Sequence, residues 1–64
     1  METAIQEIIA AAREAKQNGW KTIHYQFKAG ERETFETEIT TEIQNRIGLR
    51  VKKDEGNHIE FRLN

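Results

Sequence analysis

The 64-residue chain predicts an α+β fold of element order α-β-β-α-β-β, with a four-stranded antiparallel or mixed sheet and two helices on one face. Three features point there. An apolar period of 3.6 residues opens the chain, apolar and polar residues alternate through residues 20–28, and two apolar-patterned segments flank Asp54-Glu55-Gly56-Asn57 near its end. The alternative order is α-β-α-β-β with three strands, and the choice between them turns on residues 32–48.

The first helix is expected over residues 4–18. Ile5, Ile8, Ile9 and Ala12 fall at i, i+3, i+4 and i+7, one face of a helix. Thr3 with Gln6 has the spacing of a capping box, and Asn18-Gly19 supplies the stop, glycine being the residue that enters the left-handed conformation without a Cβ penalty. Trp20 follows where an apolar residue commonly folds back on the last turn. Residues 20–28 read as a strand, with Ile23, Tyr25 and Phe27 inward and Thr22, His24 and Gln26 outward. Lys28-Ala29-Gly30-Glu31 reads as a turn.

Residues 32–48 carry two patterns. Phe35, Thr37 and Ile39 alternate with glutamates, and four threonines between 34 and 41 favour a strand. Phe35, Ile39, Ile43 and Ile47 also form an i+4 stripe, with acidic residues crowding its start as a helix dipole prefers, but the stripe is thin. The preferred reading is a strand at 33–39 paired with residues 22–27, then a short helix at 41–47 capped by Thr41 and Gln44 and ended by Gly48. A hairpin closes the chain, with Leu49, Val51, Ile59, Phe61 and Leu63 inward. The resulting order is a circular permutation of the ferredoxin-like one and implies strand order 3-4-2-1. Its second crossover has only about nine residues, short against the usual minimum of about 10–12.

At 7.5 kDa the chain reads as a single domain, residues 1–64. So short a chain buries only about 60% of its unfolded surface, so its core is marginal. Hydrophobic residues make up 36% and charged residues 33%, and mean hydropathy is −0.84. Aliphatic and aromatic residues nevertheless recur throughout, which argues against disorder. Without cysteine there is neither a disulfide scaffold nor a thiolate metal site. No apolar run approaches the about 20 residues of a membrane span, and no signal peptide is apparent, so the expectation is a cytoplasmic protein off the membrane. The net charge of −1 and pI near 6.1 lack the basic excess of a duplex-DNA binder. Residues 1–44 hold five basic and eight acidic groups, whereas residues 45–64 hold five basic and three acidic.

No catalytic signature stands out. There is no cysteine or serine nucleophile, and no threonine has an evident activating base. His24 and His58 take the polar parity of separate strands, the pattern of solvated surface rather than of a metal pair. The acidic side chains Glu31, Glu33, Glu36, Glu38 and Glu42 read as a solvated stripe, since acid–base work needs a cleft that shifts their pKa. The four glycines each fit a helix end or a turn, leaving none for a phosphate loop. Tyr25, Phe27, Phe35 and Phe61 fall on the core parity, leaving no outward aromatic platform for single-stranded RNA. The segment TTEIQNRIGL looks like the opening of a helix-turn-helix, but RVKKDEG follows where a recognition helix should stand. The expectation is no enzyme, no metal and no cofactor.

The layout TTEIQNRIGLRVKKDEGNHIEFRL, a short capped helix, Gly-Leu and a closing hairpin, resembles small uncharacterised phage and prophage α+β proteins, and AAAREAKQNGWKTIHYQF fits the same picture. The resemblance is architectural and implies action by binding a host or defence protein. The paired Thr-x-x-Gln motifs, a glycine after each helix and the absence of Cys and Pro also resemble a computationally designed mini-protein. The leading expectation is a non-enzymatic protein-interaction module, either with a protein partner or as a homodimer. Its partner surface would be drawn from Trp20, Arg46, Arg50, Lys52 and Lys53. The alternatives are a designed scaffold without biological function and a weak nucleic-acid binder using the 46–53 basic cluster. Tryptophan is enriched in interface hot spots, and a charged rim would orient the partner.

Overall fold

The structure, a computed structural model, describes residues 2–63, with Lys53 and Asp54 described by their backbone alone. The elements are α1 (Glu2–Asn18), β1 (Thr22–Gln26), α2 (Glu31–Ile47), β2 (Arg50–Glu55) and β3 (His58–Arg62). The sheet is antiparallel with order β1-β3-β2. The four-stranded, permuted ferredoxin-like sheet is therefore not formed, and the alternative α-β-α-β-β order is the observed one.

Helix α1 buries Ala4, Ile5, Ile8, Ile9, Ala12 and Ala15, the face set by its apolar period. It ends in a Schellman motif. Gly19 stands at φ 74°, the Trp20 amide donates to the Ala15 carbonyl (2.8 Å) and the Gly19 amide to that of Lys16 (3.4 Å). The Thr3 cap is not used: the helix already runs from Glu2, so Thr3 lies within it, and Gln6 donates to the Glu2 carboxylate (2.9 Å). Strand β1 is shorter than the alternation in residues 20–28. Phe27 and Lys28 leave the ladder, although Phe27 stays buried and its amide donates to the Asn57 carbonyl (2.7 Å).

Residues 31–47 form one continuous helix, so the strand at 33–39 and the cap at Thr41 and Gln44 are both overturned. Threonine's strand preference yields here to several helical factors. Gly30, at φ 76°, turns the chain into the helix, and Glu31 and Glu33 sit in the first turn, favourable to its dipole. The i,i+4 pairs Arg32–Glu36 (2.9 Å) and Glu42–Arg46 (3.0 Å) brace it, and Gly48 closes it, its amide donating to the Gln44 carbonyl (3.0 Å). The thin stripe suffices because α2 packs along a narrow seam with α1. Ile39 and Ile43 are fully buried, while Phe35 and Ile47, nearer the ends, are only partly covered. Phe35 is thus less buried than its pattern suggests.

With 33–39 helical, β1 pairs with β3 instead, in the register Ile23↔Phe61 and Tyr25↔Ile59. The hairpin forms as expected around Gly56-Asn57, with one irregularity between Val51 and Lys53. Central strand β3 contributes Ile59 and Phe61, both at 0% exposure. Val51, expected inward, is 44% exposed although it pairs with Phe61: it sits on an edge strand, whereas helix α1 packs against β1.

Candidate functional site

The sheet turns its other face to solvent, and the β1–β3–β2 register decides what gathers there. Thr22, Arg62 and Arg50 stand in one row across the three strands, and His24 and Glu60 are partners in the next. At the Arg50 end the loop after α1 joins this face. There Lys16, Trp20, Lys21, Arg50, Lys52 and Arg62 line an open trough of about 890 Å³. None of the described residues lining it is acidic. Lys52 pairs with Glu60 (3.2 Å), whereas Lys16, Lys21, Arg50 and Arg62 make no ion pair among the described residues. Trp20, the sole tryptophan, is 55% exposed at the trough wall. Its backbone closes α1 while its indole remains largely free of the core.

Beside the trough, across Lys16 and Leu63, lies a smaller hollow of about 180 Å³. Ile9, Ala12, Ile47, Leu49 and Leu63 form its apolar floor, and Arg13 and Lys16 its basic rim. Together the two concavities place an apolar notch next to a run of cations, four of them without an ion pair among the described residues.

Of the residues the sequence nominates, the structure brings Trp20, Arg50 and Lys52 to one surface. Arg46 does not join them. It lies on α2, donating to Glu2 (2.8 and 3.2 Å) and to Glu42 (3.0 Å). The side chain of Lys53 lies outside the described residues. Lys16, Lys21 and Arg62 are the additions. Each is remote in sequence from Arg50, and only the end of α1 and the pairing of β3 with both other strands bring them together.

The two histidines take the exposed face their parity predicts, and the strand pairing also brings them close. They share the solvent face on paired strands, with ring centres 6.3 Å apart. A hollow of about 120 Å³ lined by His24, Glu55, His58 and Glu60 lies beside them, below the about 300 Å³ at which small-molecule pockets begin. Among the described residues no three His, Cys, Asp or Glu side chains are grouped to hold a metal ion.

At the opposite end of the sheet, Glu31 ties β1 to α2. It accepts from the Tyr25 hydroxyl (2.6 Å) and the Lys28 amide (3.1 Å). Burial alone would raise the Glu31 carboxyl, but these donors and the Lys28 charge hold it below its ordinary value. Burial, followed by the bond to Glu31, pushes the Tyr25 phenol upward. Arg32 lies against the Phe27 ring (5.8 Å) and donates to the Gly56 carbonyl. These contacts join α2 to the hairpin and are structural.

No family model, curated protein or solved structure matches this chain. No helix among the described residues is long and apolar enough to cross a membrane.

Proposed function

We propose that this chain is a non-enzymatic protein-binding module that takes an acidic peptide segment of a partner protein across the Trp20 trough. The observation that carries this reading is the run of cations Lys16, Lys21, Arg50 and Arg62, without carboxylate partners among the described residues, beside an exposed tryptophan. An acidic strand would neutralise Lys16, Lys21, Arg50 and Arg62, and the indole would cover its apolar side chain or backbone. The adjoining notch over Ile9, Ile47 and Leu49 accepts one apolar side chain, a feature of peptides rather than of a sugar-phosphate strand. The overall charge of −1 and the single exposed aromatic also favour a peptide over nucleic acid.

Because Trp20 is the only tryptophan, its fluorescence reports directly on the trough. Titration with a peptide of alternating Glu and Leu should shift the emission, and the affinity should fall as salt rises. The double variant Arg50→Glu/Arg62→Glu should weaken binding at least tenfold, whereas Arg46→Glu should leave it nearly unchanged. Equal loss in both variants, or tighter capture of a single-stranded oligonucleotide than of the peptide, would overturn the reading.

A further inference from the structure

We infer that His24 and His58 form a two-imidazole site for a divalent transition-metal ion of the zinc or copper type, outside the peptide trough. In sequence the histidines are far apart, and β1–β3 pairing makes them diagonal neighbours. His24 stands opposite Glu60 and His58 opposite Gln26, on one face of the sheet. Their ring centres lie 6.3 Å apart with the planes tilted by 54°. An ion about 2.1 Å from one nitrogen of each ring would hold the ring centres at most about 6.5 Å apart. That limit holds for a linear N–ion–N angle, whereas the tetrahedral angle usual for zinc brings the centres to about 5.3 Å, so side-chain rotation draws the rings about 1 Å closer around the ion. Both imidazoles reach solvent, and the hollow beside them is bounded by two carboxylates, Glu55 and Glu60, so the ion enters a polar, anionic recess.

Glu60 adds the feature that separates this pair from two incidental surface histidines. Its side chain is only 15% exposed and is held from both sides. Lys52 pairs with one oxygen (3.2 Å), and the other faces His24 Nδ1 (3.8 Å). At 3.8 Å this oxygen is beyond hydrogen-bond length but lies on the Nδ1 side of the ring, so a small movement lets it accept the Nδ1 proton and leaves Nε2 for the ion, the arrangement usual behind histidine ligands. Glu60 is thus a positioning residue. Two protein nitrogens leave the remaining coordination positions to water or to a donor from a bound molecule. Imidazole ligation favours zinc, copper and nickel over magnesium and calcium.

The test uses the full chain with Zn²⁺ alone and Cu²⁺ alone. With Zn²⁺, the ring resonances of both histidines should move together and saturate at one equivalent. The Cu²⁺ complex should show two equivalent nitrogen couplings by electron paramagnetic resonance. His24→Thr and His58→Thr keep a strand-forming residue at exposed positions and should each lower affinity at least tenfold, and the double variant should abolish binding. Glu60→Gln should weaken binding about tenfold or more while the copper spectrum keeps two nitrogens. Mg²⁺ should shift neither ring. Should either threonine variant lose its fold by circular dichroism, the corresponding glutamine variant replaces it. Undiminished binding in the double variant, saturation at two equivalents with each histidine responding alone, or no response to either ion would overturn the site.

Discussion

By charge and position in the sequence Arg46 belongs with Arg50 and Lys52, yet its guanidinium is committed to two carboxylates. Its bond to Glu2, with a second from Gln6 to the same carboxylate, holds the Glu2 carboxyl down at about 2 against an ordinary 4.5. Since the folded value is the depressed one, the stabilisation is fully present above about pH 4.5 and is lost as pH falls towards 2. Glu2 is exposed, so the effect on global stability is small, and the titration itself is the useful readout. In Arg46→Gln the Glu2 carboxyl should titrate well above the wild-type value, moving towards 4.5, as followed by carboxyl-carbon NMR. An unmoved titration would show that Arg46 does not hold α1 to α2. The pairing was illegible in the sequence because it spans two helices whose packing no local pattern encodes.

At the scale of elements, legibility followed the number of independent signals. In α1 the apolar period and the stop at Asn18-Gly19 agree, and the helix is where they put it. The closing hairpin has alternation and a strong turn, and it too forms. Helix α2 has signals in conflict: Thr34, Thr37, Thr40 and Thr41 favour extended chain, while the glycine-bounded ends and the Ile39–Ile43 seam favour helix. The sequence overvalues the threonines because three of them, at 34, 37 and 41, face solvent, where they cost helix propensity but carry no packing. This gives a sharp prediction. Thr37→Ala and Thr41→Ala, at exposed mid-helix positions, should each stabilise the protein by roughly 0.5 kcal/mol, since alanine is the better helix former. In a domain this small that raises the thermal midpoint by about 2–4 °C. A fall in midpoint, the result expected of a strand, would contradict the helix.

At the scale of the whole molecule, the contacts that build the trough and bring the histidines together are also the least local. Both the trough and the histidine pair depend on β3 lying between β1 and β2. Periodicity predicts that such strands exist but not which of them pair, so Arg50, Arg62, His24 and His58 read as outward-facing without being set side by side, and Lys16 and Lys21 are not joined to them. The same central strand governs stability. The radius of gyration is 10.8 Å, matching the about 10.7 Å expected of a compact chain of this length. A total stability of about 3–10 kcal/mol follows from roughly 0.05–0.15 kcal/mol per residue. Removing the Phe61 side chain, wholly buried on β3, should cost about 3–5 kcal/mol, enough to bring the chain near or past its unfolding midpoint at room temperature. Its ladder partner Val51 shares the strand geometry but is 44% exposed, so Val51→Ala should cost only about 1 kcal/mol. Urea titration of the two variants separates a loss of core from a loss of strand propensity, which should weigh at least as heavily on Val51→Ala. Similar midpoints for both would mean that Phe61 is not at the centre of the core. The β1-β3-β2 order that assembles the trough and the histidine pair would then fail with it.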